Sequence, residues 1–216
     1  MTTPPQHPKI YHITHVDNIP AIIRHGYIFS DAKRIAYGLD CNIIGMSTIK
    51  QRRLEEIEVT CHAGTKVGEY VPFYFCPRSI MLYILHRGNH QDLNYTEGQR
   101  PIVHLQADLQ TTVEWADQHN VRWAFSDRNA GAYFADFFST LDELNQIDWD
   151  AVRETNWSDP LIKEGKQAEF LIYESFPWSL VEKIGAADAA IVARVQQILC
   201  NAGHKPPVTV ESSWYY

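Results

Sequence analysis

Hydrophobic and polar positions along this chain fall into short runs whose period switches between two and roughly three and a half, the periods of strand and helix. Residues 10–15, Ile10-Tyr11-His12-Ile13-Thr14-His15, read as a strand, and residues 17–25 follow as a helix with Ile19, Ile22 and Ile23 at helical spacing. Asp17 is placed to cap this helix and Gly26 to end it. Residues 30–50 keep no clean period and carry Ser30, Gly38, Asn42 and Gly45, so they read as a long excursion of the kind that often binds ligands. A short helix at 49–54 then carries Arg52 and Arg53. The aromatic run 70–75 is β-prone, with Pro72 marking it as an edge or bulged strand, and Pro77-Arg78-Ser79 turns into an apolar helix at 80–86. Further strands are expected at 102–105, 122–126, 170–173 and 208–210. Thr140-Leu141-Asp142-Glu143 has the form of a capping box and predicts a helix with Leu141, Leu144 and Ile147 inward. Residues 187–199 are helical, with Ile191, Val195, Ile198 and Leu199 on one stripe. Strands and helices mix without regular β-α-β alternation, so the expected class is α+β.

Length bounds the organisation, because 216 residues fill one domain with a full core and are too few for two comfortable ones. A single domain over 1–216 is expected, with residues 1–9 flexible. The four cysteines, Cys41, Cys61, Cys76 and Cys200, form no CxxC pair, so neither a disulfide framework nor a metal site is implied and a reducing compartment fits. The start of the chain lacks the basic and apolar regions of a signal peptide, and no run of about 20 apolar residues could span a bilayer, which points to the cytoplasm and away from a membrane partner. A net charge of -7 weighs against a protein that grips duplex DNA with its whole surface. The charge is uneven, however: Asp142, Glu143, Asp148, Asp150, Glu154 and Asp159 face only Arg153, whereas Arg78, His86, Arg87, His90, Arg100 and His104 share a segment with few acids. No glycine fingerprint of a dinucleotide fold and no P-loop is present, which argues against a dehydrogenase or kinase.

Six side chains stand out as candidate chemistry. On a strand, Glu169 shares a face with Gln167, Leu171 and Tyr173, opposite Ala168, Phe170 and Ile172. A strand glutamate ordinarily points to solvent, but a rigidly held carboxylate is also what cleavage of a glycosidic bond through an oxocarbenium-like state requires. His12 and Thr14, two apart and so on one face, could bond a ribose hydroxyl, or His12 could be a satisfied core histidine. Tyr74 could stack on a nicotinamide ring or simply fill the core. Arg52 and Arg53 could clamp a diphosphate, or form a solvated helix face paired with Glu55 and Glu56.

Taken in order, these segments resemble the DarT family of NAD-dependent DNA ADP-ribosyltransferase toxins. The likeness covers nearly the whole chain: Ile10-Tyr11-His12-Ile13-Thr14-His15-Val16-Asp17-Asn18-Ile19, Lys50-Gln51-Arg52-Arg53, Tyr70-Val71-Pro72-Phe73-Tyr74-Phe75-Cys76-Pro77-Arg78-Ser79 with Met81-Leu82-Tyr83, Phe125-Ser126-Asp127-Arg128, Asp148-Trp149, Gln167-Ala168-Glu169-Phe170 and Trp214-Tyr215-Tyr216. The resemblance implies an ADP-ribosyltransferase-like fold with central mixed or antiparallel sheets flanked by helices. It implies NAD as co-substrate with no metal, Glu169 and Arg53 as catalytic residues, and His12, Thr14, Asn18, Arg53 and Tyr74 as the NAD site. It further implies a lid over NAD at about 31–50, a substrate-recognition loop at about 125–138, and DNA contacts from Arg78, Arg128 and Asn129. Single-stranded DNA, with thymidine the expected base, and a macrodomain antitoxin that removes the modification are the implied partners. Two departures bear on target preference: Asn129 stands where relatives commonly have histidine, and Glu69 where aspartate is familiar. The other readings are transfer to protein or RNA, NAD hydrolysis, and a non-catalytic nucleic-acid-binding module built on Arg78, Arg87, Arg100, Arg122 and Arg128.

Overall fold

The computed structural model describes residues 3–216. The chain opens with β1 (Lys9–His15), so the expected flexible start gives way to a strand at Lys9, which pairs with Asp108 by register and by an ion pair of 3.1 Å. A 3-10 turn, Val16–Asn18, then enters α1 (Ile19–His25), which Gly26 ends in the left-handed conformation at φ 73°. Asp17 does not cap α1. The turn separates it from the helix start, its backbone N–H bonds His15 Nδ1 at 3.2 Å, and its carboxylate pairs with Arg194. After β2 (Tyr27–Phe29), the excursion at 30–50 is more ordered than its pattern suggests, with α2 (Asp31–Ala36) and the start of α3 (Ser47–Glu55). A signal was present, since the Ser30 hydroxyl caps α2 by accepting the Lys33 N–H.

β3 (Tyr70–Tyr74) leads to α4 (Ile80–Arg87), capped by Ser79, and β4 (Ile102–Asp108) leads to α5 (Leu109–Gln118), capped by Asp108. After β5 (Trp123–Ser126) and β6 (Phe137–Phe138), the predicted helix at Thr140 is a 3-10 turn, Leu141–Gln146. Its capping box fails because the Thr140 hydroxyl donates to the Glu143 carboxylate at 2.9 Å and leaves the backbone uncapped, while Leu144 and Ile147 are buried as expected. Asp148 and Asp159 cap α6 (Trp149–Arg153) and α7 (Pro160–Gly165), so part of the acidic run serves helix ends. The chain closes with β7 (Glu169–Tyr173), β8 (Ser175–Pro177), β9 (Lys183–Ala186), α8 (Ala189–Leu199) and β10 (Val208–Val210).

Eight strands form one sheet in the order β10-β9-β4-β1-β3-β7-β5-β6, and β2 pairs with β8 in a second. β9 and β10 run parallel and the other pairs antiparallel, which makes the large sheet mixed and bears out the α+β expectation. Phe73, Phe170 and Phe176 are fully buried, with the Phe73 and Phe176 rings 4.7 Å apart, and each such ring contributes about 1.5–3 kcal/mol by leaving water.

Contrary to expectation, Pro72 sits on an interior strand, between β1 and β7. The sheet tolerates it because β1 and β3 meet at the single register pair Tyr11↔Tyr74, and the Pro72 carbonyl bonds the His12 ring at 2.9 Å in place of a ladder partner. The resulting split between two central strands is where the cavity opens.

Candidate active site

The three strands that carry the candidate residues are neighbours. β1 supplies His12 and Thr14, β3 supplies Tyr74, and β7 places Glu169 directly opposite Tyr74 in the register. At the split lies a cavity of about 580 Å³, lined by His12, Thr14, Asn18, Arg53, Tyr74 and Asn129, together with Asp31, Arg34, Lys50 and Gln167. Such a volume suits a ligand of dinucleotide size.

Glu169 is not solvated; it is 1% exposed. Arg53 holds it with two parallel bonds of 3.1 and 2.9 Å, and the Ala130 N–H donates to Oε1 at 3.0 Å. This geometry rules out the surface pairing of Arg53 with Glu55 or Glu56: Gln51 reaches Glu55 instead, and Arg52 lies over the Tyr133 ring. Arg53 lines the cavity and Glu169 lies behind it, joined through the guanidinium. Burial opposes the charge of Arg53, but the facing carboxylate overrides that penalty and holds its pKa above the ordinary value. Burial, reinforced by Glu169, likewise pushes the Tyr74 hydroxyl well above the usual tyrosine range.

His12 is kept neutral by burial, which pulls its pKa below 6.5 despite the Pro72 carbonyl. Because a carbonyl can only accept, His12 donates from Nδ1, which leaves Nε2 as an acceptor. Thr14 is buried, and its hydroxyl accepts from Asn18 Nδ2 at 3.0 Å. Asn18 also takes the Asn42 N–H at 2.8 Å and donates to the Asn42 carbonyl at 3.1 Å, so it ties the excursion to the strand that bears Thr14. Across the excursion, Lys50 pairs with Asp31 at 2.6 Å, and Lys50 with Arg34 overcomes the burial penalty to hold the Asp31 carboxyl below its ordinary pKa.

The expected DNA contacts diverge. Asn129 reaches the cavity, accepting the Gly131 N–H at 2.8 Å and donating to Gln167 at 3.3 Å. Arg128 is engaged by Asp127 at 2.7 Å and Glu164 at 2.6 Å. Arg78 stacks over Tyr216 at 4.4 Å and does not line the cavity. Sequence reasoning did not single out Asp31, Arg34, Lys50 or the Ala130 amide as parts of the site, since none belongs to a strand whose period could place it.

A family model described as ssDNA thymidine ADP-ribosyltransferase, DarT, matches residues 11–216. The chain belongs to the DarT family. Among curated DarT relatives, it is similar to a DNA ADP-ribosyl transferase of Thermus aquaticus, 39% identical over 96% of this chain and 88% of that protein. Among DarT structures, it is similar to Thermus sp. 2.9 DarT in complex with ADP-ribosylated ssDNA, with a TM-score of 0.89, 36% identity, and 100% and 99% of the two chains covered. The same Thermus protein in complex with NAD+ gives a TM-score of 0.79 at 33% identity, with 99% and 100% covered.

Proposed function

We propose that this chain is a DarT enzyme that transfers the ADP-ribosyl group of NAD to a thymidine base in single-stranded DNA. The observation that carries the reading is the buried Glu169 carboxylate, fixed by the Ala130 amide and by Arg53, the side chain that separates it from a cavity of a size for NAD. The Thermus sp. 2.9 DarT complexes, with NAD+ and with ADP-ribosylated ssDNA, supply the substrate classes.

In this reading the acceptor lone pair of His12 Nε2 and the hydroxyl of Thr14 take a ribose, Asn18 fixes the excursion above it, and Arg34, Lys50 and Arg53 supply positive charge for the diphosphate. Tyr74 lies against the nicotinamide. The glycosidic C–N bond breaks, nicotinamide leaves with the bonding electron pair, and positive charge develops on the ribose. Glu169, stationed on a rigid strand, stabilises that charge. A ring nitrogen of the base then bonds the anomeric carbon and gives up its proton to the Glu169 carboxylate, while Arg53, a guanidinium that stays protonated, assists by orienting the groups. Arg53 must release part of its grip on Glu169 for the carboxylate to face substrate. The base has to leave any duplex to reach this point, which accounts for the single-stranded substrate. Asn129, which lines the cavity, touches the base in this reading, and Arg78 and Arg128, which do not line it, contact the DNA outside it. We extend the reading to a toxin, folded as one domain over 1–216, that acts in the cytoplasm and whose mark a macrodomain antitoxin removes. Among the described residues no helix is long and apolar enough to cross a membrane.

The test is intact-mass analysis of single-stranded oligonucleotides of different base content, incubated with NAD and either wild type or Glu169→Gln. One ADP-ribose added by wild type to thymidine-containing strands, and none by the variant, is the expected result. NAD consumption with no DNA adduct would overturn the acceptor assignment.

A further inference from the structure

Two large aromatic side chains stand out of the loop between β5 and β6, beside the site: Tyr133 is 64% exposed and Phe134 86%. The loop that carries them is not slack. Its base is closed by reciprocal bonds between Asp127 and Asp136, where the Asp127 N–H reaches the Asp136 carbonyl and the Asp136 N–H reaches the Asp127 carboxylate. Its middle is fastened to the reaction centre, since the Ala130 N–H donates to Glu169 at 3.0 Å. Gly131 packs so closely against Ile49 and Arg53 that an added Cβ would lie 3.3 and 3.4 Å from their side-chain carbons. Short turns, Ala132 N–H to Asn129 carbonyl and Ala135 N–H to Ala132 carbonyl, shape the tip.

Tyr133 is held from below: the Arg52 guanidinium lies over its ring at 5.0 Å and its hydroxyl donates to Glu56 at 2.5 Å. Phe134, its neighbour, has no such duty and presents its ring to water. An exposed phenyl on a loop this firmly tied adds nothing to the core, and it sits a few residues from the groups that touch the catalytic carboxylate. The guanidinium groups nearby are already engaged, Arg128 by Asp127 and Glu164 and Arg52 by the Tyr133 ring, and the chain carries a net charge of -7. Stacking does not depend on net charge, and every base has a face to stack.

Resting on the DNA-modifying reading above, we infer that Phe134, backed by Tyr133 and Arg52, is a stacking platform for the nucleobase next to the target thymidine and helps draw the target out of the strand. Sequence preference at that flanking position then follows stacking strength, with purines favoured over pyrimidines.

Phe134 is exposed, so replacing it leaves the fold intact, and the experiment can be read on steady-state kinetics with oligonucleotides bearing a single thymidine. Phe134→Ala raises KM for DNA by roughly 5- to 150-fold, the range of one lost base–aromatic stack, while KM for NAD moves by less than about twofold. Phe134→Trp restores it. An abasic spacer on one side of the thymidine costs wild type the same factor and costs Phe134→Ala nothing further, because the two changes remove one interaction. The slope of log KM against log salt stays the same in wild type and Phe134→Ala, since no phosphate contact is lost. An unaltered KM for DNA in Phe134→Ala, or penalties for the variant and the spacer that simply multiply, overturns the platform while leaving the transferase reading intact. Wild type that modifies no single-stranded DNA overturns both.

Discussion

The floor of the cavity and its walls are built differently. β1, β3 and β7 form the floor as adjacent strands of one sheet, with Glu169 1% exposed and locked by three hydrogen bonds. The wall at 30–50 consists of short helices and turns, and its Asp31–Lys50 pair leaves the two side chains 28% and 29% exposed. Its hold on the floor runs through Asn18 with Asn42 and, just past β7, through Glu174, which takes the Ser30 N–H and the Lys33 ammonium. Positioning of reacting groups belongs on the stiff element, and admission and retention of a ligand belong on the one that can open at low cost. Arg53 is where the two meet, as a wall side chain clasping the floor carboxylate.

The largest expected effect breaks that junction. Arg53→Ala leaves a buried carboxylate with no counter-charge and is expected to lower stability by about 3–5 kcal/mol, read from denaturant midpoints, with Arg53→Lys recovering part of the loss. A variant as stable as wild type would show that Glu169 does not need its partner to stay buried.

Acid titration of the sheet beside the floor comes next. His104 on β4 is buried between Tyr215 and the Pro77 carbonyl, and burial lowers its pKa to about 4. The unfolded chain takes up this proton first as pH falls. Stability should therefore be flat above pH 6.5 and decline by up to about 3 kcal/mol as pH drops from 6.5 through about 4, a decline that His104→Gln flattens.

The smallest effect lies in the wall. Lys50→Met removes an ion pair with partly exposed members, so stability changes by less than about 1 kcal/mol, while KM for NAD rises roughly 5-fold through the lost wall contact. A stability loss as large as that of Arg53→Ala would erase the distinction between wall and floor.

The same division governs what the sequence discloses. β-prone runs around His12, Tyr74 and Glu169 locate the floor as strands, and the DarT resemblance supplies their order, although burial does not alternate along them: β7 is buried on both faces from Glu169 to Ile172. The neighbour relation of the strands is invisible locally, which is why Pro72 reads as the mark of an edge or bulged strand: its tolerance depends on the single β1–β3 pairing and on a histidine ring sixty residues away in sequence. Asp17 and Thr140 carried capping signals that tertiary partners redirected, to Arg194 and to Glu143. Arg53 offered two helix-surface acids as partners, and only the folded chain reveals that it takes Glu169 instead. α2, β2 and β8 are too short to show a period, and the Ala130 amide carries no side-chain signal at all.

The most direct measurement is single-turnover transfer to a thymidine oligonucleotide by Glu169→Gln, paired with calorimetric NAD affinity. The amide oxygen can take the place of Oε1 and still accept from Arg53 Nη1 and Ala130, although the Arg53 Nη2 bond is lost, so NAD binds within about threefold of wild type, while transfer falls by at least about 10³-fold because the stabilising charge is gone. Transfer retained within about tenfold, or NAD affinity lost in step with transfer, would contradict the assignment of chemistry to Glu169.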